Sequence, residues 1–577
     1  MTTTTKQGRI PPTHNGASHE PDPDAGPGSV RVWHLVTLSI VLALIALVRL
    51  RLLAVPFERD EGEYAYVGNL ILNGGLPYRD AYNMKLPGTY GMYALFIAVF
   101  GHSPAQIHTG LLVASIVTAV CLFVAFGRLF RPTVGLVAAS VFSLLSVSMP
   151  FMGFAAHATH FINFFLALGL LAYAGYDRKG RWWIAALAGL MAGMAFLMKQ
   201  QAAAFIVMVT VAVLARGLLA RPVRWATVLR HTLACGTGAV LPYLGLLVAV
   251  TAAGIRERFW LWTVSYAATY EAMPWAPAVQ AGDRWNTVLA LFSSSFSPMF
   301  AEYPALWLAA AGGVVAILLS RYSAAQRVFA GLLAAGSVAA VSAGLYFRPH
   351  YFVAVAPAVG LLAALGLDAV ASRLPARWHR GAALLPVLVV VLSAVAAVVS
   401  GQGYYLHDSP DAISKQVYGV NPFVEAPEIG RYLAEHSAAT DTIAVLGSEP
   451  EVLVYSGRRS ATGYVYVYSL FELQPHNLDM QREMISEIER NRPRYVVYCN
   501  VPSSWLVMPG APTELLEWSS RYLAANYDVV GLVDLPPDRS SARSYWDSAA
   551  QRQPEFENFV VVFRRKIPTP VPLLLRP

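Results

Sequence analysis

The residues best suited to chemistry in this chain are crowded into one short stretch. Glu58-Arg59-Asp60-Glu61-Gly62-Glu63-Tyr64 is followed by Pro77-Tyr78-Arg79-Asp80 and then by Asn83-Met84-Lys85-Leu86-Pro87-Gly88. Carboxylates beside a lysine suit the transfer of a sugar from a polyisoprenyl phosphate. A carboxylate near the acceptor hydroxyl takes its proton as that oxygen attacks the anomeric carbon. A cation at headgroup depth stabilises the charge that develops on the departing phosphate. The bland alternative is a solvated acidic loop beside the headgroups. Three features weigh against it. The acids follow directly on an apolar segment, where isolated carboxylates are costly unless used or paired. Glycines at 62, 68, 74, 75 and 88 point to a tightly folded segment rather than a tether. Lys85 immediately precedes an apolar run, at the depth of a lipid phosphate.

Other polar residues are scattered further along. His157 and His160 are three apart and share a helical face, but no third metal ligand is evident, so they read as a hydrogen-bonding lining of a substrate cavity. Lys199-Gln200-Gln201 reads as a snorkelling lysine or a phosphate contact. Tyr346-Phe347-Arg348-Pro349-His350-Tyr351 is an interfacial aromatic belt in which Arg348 and His350 could supply a second phosphate contact. The segment with Arg256, Glu257, Arg258, Tyr270, Glu271 and Trp275 could cover a sugar. Gly447-Ser448-Glu449-Pro450-Glu451 follows a strand-like run and reads as a strand-to-helix turn whose acids cap the helix; it lacks the Gly-Lys-Ser/Thr signature of a phosphate loop.

These residues sit in an overwhelmingly apolar chain. Of 577 residues, 56% are hydrophobic and 14% charged, with a mean hydropathy of +0.46. Soluble domains carry about 25% charge, so a soluble globular enzyme is excluded. Apolar runs at roughly 33–53, 106–127, 133–152, 158–175, 182–198, 201–216, 231–252, 303–320, 328–345, 352–371 and 382–400 predict eleven crossings of a bilayer about 30 Å thick. The run at 89–101 is too short to span and reads as interfacial or re-entrant. Lys and Arg cluster in alternate loops, among them Arg128 and Arg131, Arg178 to Arg181, Arg216 to Arg230, Arg321 and Arg327, and Arg373 to Arg380. Basic loops mark the cytoplasmic side. The N-terminus is then cytoplasmic, with the loops at 57–104 and 251–302 and the whole region after Ser400 outside. Residues 1–30 read as a disordered tail, and the first apolar run as a retained anchor.

The net charge of +8 follows from those loops and not from a nucleic-acid surface, since no basic stretch is interleaved with stacking aromatics. Cys121, Cys235 and Cys499 form no disulfide framework. Residues 401–577 are polar enough for one soluble domain. β-type runs at Thr442–Leu446, Tyr495–Tyr498, Val529–Val533 and Phe559–Phe563 alternate with helix-like stretches at Ala426–His436 and Asn477–Asn491, predicting a small α/β domain.

The string Asp60-Glu61-Gly62-Glu63-Tyr64-Ala65-Tyr66, with Pro77-Tyr78-Arg79-Asp80 and Lys85-Leu86-Pro87-Gly88, resembles the first outer loop of GT-C type membrane glycosyltransferases. It is similar to the protein O-mannosyltransferase family (family 39) and to the lipid A aminoarabinose transferases. The resemblance extends more loosely over residues 33–400. It implies a polytopic helical membrane enzyme with Asp60 as base, Glu61 orienting it or touching the sugar, and Lys85 on the donor phosphate. Tyr64, Arg79, Asp80, Lys199, Arg348, His350, His157 and His160 would line the substrate site. It also implies inversion at the anomeric carbon and no obligatory metal or other cofactor. Two departures are visible: Leu86 stands where the motif has proline, and Met84 where some relatives place an acid, so a metal seen in such relatives is not carried over. The partners expected are a polyprenyl-phosphate sugar, membrane lipid, and an acceptor that is protein, lipid or polysaccharide. A lipid-linked sugar transporter and a non-catalytic envelope assembly protein are the rival readings. The transporter expects repeated halves and charges near the bilayer middle.

Overall fold

The computed structural model describes residues 29–272, 283–319, 321–374 and 384–566. The expected tail, up to residue 28, lies outside the described residues, as do Trp275, Arg377 and Arg380 and the side chain of Glu271. In a bilayer every backbone polar group must be satisfied within its own segment, so long apolar runs become helices. These are α1 (Val32–Leu52), α2 (Arg59–Leu72), α3 (Gly88–Phe100), α4 (Pro104–Leu129), α5 (Pro132–Val147), α6 (Ala158–Lys179), α7 (Trp182–Met198), α8 (Ala203–Leu219), α9 (Trp225–Ala252), α10 (Arg284–Glu302), α11 (Pro304–Leu318), α12 (Ala324–Ser342), α13 (Ala356–Ala371) and α14 (Leu385–Ser400). Local signals set several starts. Proline occupies the first turn of α4, α5 and α11, where its missing N–H costs nothing. Ser323 and Gln326 exchange backbone and side-chain hydrogen bonds at the head of α12.

Among the described residues, seven helical segments are long and apolar enough to cross a membrane. The pair α10 and α11 meets at a bend of 104°, and α3, α5, α7 and α14 are shorter apolar helices. Each expected span falls on one of these helices, and the chain is a polytopic helical membrane protein. Small residues let the helices pack closely. A Cβ added at Gly189 would sit 1.9 Å from the Cys235 carbonyl oxygen, locking α7 to α9, and one at Gly366 would sit 2.0 Å from that of Ala309, locking α13 to α11.

Beyond α14 the chain forms a six-stranded mixed sheet of β1 (Thr442–Leu446), β2 (Arg459–Ser460), β3 (Tyr495–Asn500), β4 (Tyr527–Asp534), β5 (Arg543–Trp546) and β6 (Phe559–Arg565). The order is β2-β1-β3-β6-β4-β5. The β2-β1 and β1-β3 pairs are parallel, the others antiparallel. Helices α15 (Ala426–Glu435), α16 (Glu451–Ser456), α17 (Asn477–Asn491) and α18 (Glu514–Asn526) accompany the sheet. All four expected β-runs are strands. The two edge strands, β2 and β5, are short and polar and carry no apolar run to announce them. All three cysteines are buried and free.

This domain grips the segment between α1 and α3. The Phe57 amide donates to the Tyr455 hydroxyl at 3.0 Å, the Ser460 amide to the Tyr66 hydroxyl at 2.9 Å, and the Tyr82 amide to the Gly463 carbonyl at 2.8 Å. Arg59 forms a buried ion pair with Glu449 at 2.9 Å and donates to the Ser448 carbonyl at 2.5 Å. Glu449 was expected to cap a helix; the structure commits it to Arg59 instead, because a buried guanidinium requires a charged partner. At Gly62 a Cβ would lie 2.6 Å from the Glu451 backbone nitrogen. Backbone cannot yield there, so Gly62→Ala is expected to cost about 1–3 kcal/mol. The measurement is the apparent melting temperature in detergent, together with faster proteolytic release of the C-terminal domain; an unchanged melt would show that the contact is looser than described.

Candidate active site

Helix α2 begins where Glu58, as N-cap, accepts a 2.9 Å hydrogen bond from the Glu61 amide, and acids in its first turn suit the helix dipole. The phase set by that start decides which acids matter. Asp60, Glu63 and Tyr64 are spaced i, i+3, i+4 and share one face. On that face the Lys85 ammonium lies 2.8 Å from Asp60 Oδ1 and 2.6 Å from Glu63 Oε2. The Tyr64 ring is 4.5 Å from the Lys85 nitrogen and the Tyr466 ring 5.1 Å. The lysine backbone is pinned as well: the Tyr78 hydroxyl donates to the Lys85 carbonyl at 2.7 Å, and the Gln200 amide to that of Met84 at 2.9 Å. The Tyr90 hydroxyl donates to Glu63 Oε1 at 2.5 Å.

Burial and charge oppose each other here. Burial works against the Asp60 carboxylate, yet Lys85, His350 and His157 hold its titration far below the ordinary range. Burial raises the Glu63 carboxyl above its usual value despite Lys85 and the Tyr90 hydroxyl. Burial also opposes the Lys85 charge, but Asp60 and Glu63 hold the ammonium well above its usual range. At neutral pH the site therefore offers an ionised aspartate against a permanent cation.

Asp60, Tyr64 and Lys85 open onto a cavity of about 750 Å³. Its other walls come from the turn between α7 and α8 with Lys199, from Trp262 to Tyr270, from Tyr346 to Tyr351 with Arg348 and His350, and from the C-terminal domain through Tyr466, Tyr468, Glu472 and Leu506 to Pro509. Lys199 sits 3.8 Å from the centre of the Tyr351 ring, and Tyr270 stacks on Tyr346 with ring centres 4.9 Å apart. Of the residues expected from sequence, the cavity thus gathers Asp60, Tyr64, Lys85, Lys199, Arg348 and His350.

Four others are placed differently. Glu61 points away from the cavity and is fully buried, accepting from the Ala156 amide at 2.6 Å and lying 3.0 Å from His108 Nε2. It braces α2 against α4 and the 153–157 connection and does not line the cavity. Arg79 and Asp80 pair with each other at 2.7 Å, and Asp80 accepts from the Leu76 amide. That turn lies outside the cavity wall, because adjacent opposite charges satisfy one another locally. His160 is buried within α6 and does not line the cavity.

His157 takes a partner other than His160. Its ring stacks on His350 with centres 4.3 Å apart, and both its nitrogens are buried without a hydrogen-bond partner among the described residues. Burial lowers His157 to about 4, so the imidazole is neutral. One ligand atom from each of Asp60, His157 and His350 lies within 4.8 Å of the others. Two neutral imidazoles and a carboxylate are a donor set that fits a divalent cation such as zinc, a constellation that the spacing of His157 and His160 did not reveal.

Glu63, Tyr466, Tyr468 and Glu472 were not singled out from sequence. Glu63 was readable from helical phase, and the tyrosines from the string Tyr464-Val465-Tyr466-Val467-Tyr468. Glu472 accepts from the Tyr266 hydroxyl, and burial pushes its carboxyl up to about 7. A buried acid raised in this way favours the folded state at low pH. That contribution is lost as pH rises from about 4.5 to about 7. Glu472→Gln is expected to flatten the fall in apparent melting temperature across that window. Parallel melting curves of variant and wild type would contradict the assignment.

The match to known proteins bears on the fold. Residues 86–252 match the family described as dolichyl-phosphate-mannose-protein mannosyltransferase. No curated protein matches the chain. Among solved structures, ArnT from Cupriavidus metallidurans bound to undecaprenyl phosphate is 16% identical, with a TM-score of 0.51 over 92% of this chain and 98% of that one. The archaeal oligosaccharyltransferase AglB from Archaeoglobus fulgidus, in complex with an inhibitory peptide and a dolichol-phosphate, is 13% identical with a TM-score of 0.47, covering 90% and 74%. Helix arrangement, cavity and ArnT likeness lead to one statement: the chain is a polytopic membrane protein with the GT-C glycosyltransferase fold.

Proposed function

We propose that this protein transfers a sugar from a polyprenyl-phosphate carrier to an acceptor at the outer face of the cytoplasmic membrane. The observation that carries the reading is that Asp60 and Lys85 adjoin, 2.8 Å apart, and face one cavity large enough for a lipid-linked sugar. The match of residues 86–252 to the mannosyltransferase family and the capture of ArnT with undecaprenyl phosphate support it. In this reading eleven helices cross the bilayer, the N-terminus is cytoplasmic and the C-terminal domain is extracytoplasmic.

Asp60 accepts the proton of the acceptor hydroxyl as its oxygen attacks the anomeric carbon. The bond from that carbon to the phosphate oxygen breaks, and its electron pair leaves on the phosphate. Lys85 meets the charge, with Lys199, Arg348 and His350 on the facing walls. Attack opposite the departing phosphate inverts the anomeric carbon. A cation held by Asp60, His157 and His350 would supply Lewis-acid polarisation at the same place. Transport is the weaker reading: Asp60 and Lys85 lie on the segment connecting α1 to α3, whereas a transporter gathers its charges in mid-span.

The test uses the purified full chain with radiolabelled polyprenyl-phosphate sugars extracted from membranes. Asp60→Asn is expected to lower transfer by about 10²–10⁴-fold and Lys85→Ala by about 10²–10³-fold. Undiminished transfer in both variants would remove the site.

A further inference from the structure

The C-terminal domain does more than cover the cavity. Tyr466, about 400 residues from Asp60 in sequence, carries its ring over the Lys85 ammonium at 5.1 Å and lines the cavity. Its phenol is within electrostatic reach of Asp60, Lys85, Arg59 and Arg348, so it stands among the principal charges of the site. Burial holds the phenol well above its ordinary titration, which keeps a neutral O–H donor there.

The placement of Tyr466 is coupled to the helix that bears Asp60. Arg59 donates to the Ser448 carbonyl at 2.5 Å, and the Ser448 hydroxyl accepts from the Val467 amide at 3.1 Å. The Arg59 guanidinium also lies 5.5 Å from the centre of the Tyr468 ring, whose hydroxyl donates to the Ser503 carbonyl at 2.5 Å. Tyr466 packs edge-on against Tyr468 with ring centres 4.7 Å apart. The two residues that follow Tyr466 are therefore tied to the residue next to Asp60.

We propose that Tyr466 is a donor-contacting residue of the transfer site, its hydroxyl donating a hydrogen bond to the carrier phosphate while its ring caps the Lys85 ammonium. The proposal rests on the transfer reading and assigns to the C-terminal domain a part of the donor site. A neutral donor adds a bond to the phosphate without adding another cation beside Asp60. It therefore favours the departing phosphate while leaving the acidity of the base undisturbed.

The test is binding of farnesyl phosphate, a short prenyl monophosphate, and of farnesol to the detergent-solubilised full chain. Wild type is expected to prefer the phosphate over the alcohol. Tyr466→Phe keeps the ring and is expected to weaken farnesyl phosphate binding about tenfold, the worth of one hydrogen bond to a charged group, with farnesol binding unchanged. Tyr466→His, which retains an aromatic donor, is expected to recover part of the loss. Unchanged phosphate affinity in Tyr466→Phe would overturn the assignment, as would equal weakening towards both ligands, which marks a packing role. A wild type that shows no preference for the phosphate would instead overturn the transfer reading itself.

Discussion

A half-buried lysine ammonium held between two carboxylates is the constraint around which this molecule is organised. Removing a charge from water costs several kcal/mol, recovered only by close partners and further hydrogen bonds. Lys85 has Asp60 and Glu63 at 2.8 and 2.6 Å, with the Tyr64 and Tyr466 rings over it. Glu63 in turn needs the Tyr90 hydroxyl. The group therefore exists only when α2, the loop before α3, α3 itself and the C-terminal domain are all in place. The same geometry leaves the cluster one negative charge in excess when both carboxylates are ionised, and the two cations on the facing walls, Lys199 and Arg348, more than offset it.

The second organising contact is the Arg59–Glu449 pair, one residue away from Asp60. Glu449 is buried, and Ser504 donates to its other oxygen at 2.7 Å. An ion pair so fully enclosed contributes little net stability, but losing either partner strands a charge. It therefore fixes the orientation of the domain on α2. Placing the Asp60 carboxylate next to such a contact couples the site's geometry to the domain's docking.

Much of this was legible in the sequence, for physical reasons that also explain the rest. Membrane helices announce themselves by length and apolarity, and four strands by apolar β-runs, because burial in lipid or in a sheet core leaves a continuous composition signal. Asp60 and Lys85 were legible because charged residues beside a span are costly unless used. Glu61 was assigned to the site and Glu63 was not. Reading the stretch as a loop supplies no helical phase, and phase alone turns Glu63 towards Lys85 and Glu61 towards Ala156. His157 was paired with His160 by spacing on one helix, whereas its ring meets His350, which lies near 190 residues further on. Arg79 and Asp80 looked like site residues by charge but satisfy each other. Tyr466 and Glu472 come from a separate domain, so only the tertiary fold places them beside α2.

The most direct measurement is a cryo-EM structure of the protein with a polyprenyl phosphate bound. The account predicts the phosphate inside the cavity, an oxygen about 2.7–2.9 Å from the Lys85 nitrogen, and the Asp60 carboxylate facing the open side where an acceptor hydroxyl would arrive. A phosphate seated elsewhere, with Lys85 still clamped between Asp60 and Glu63 and the cavity holding no part of the lipid, would contradict it.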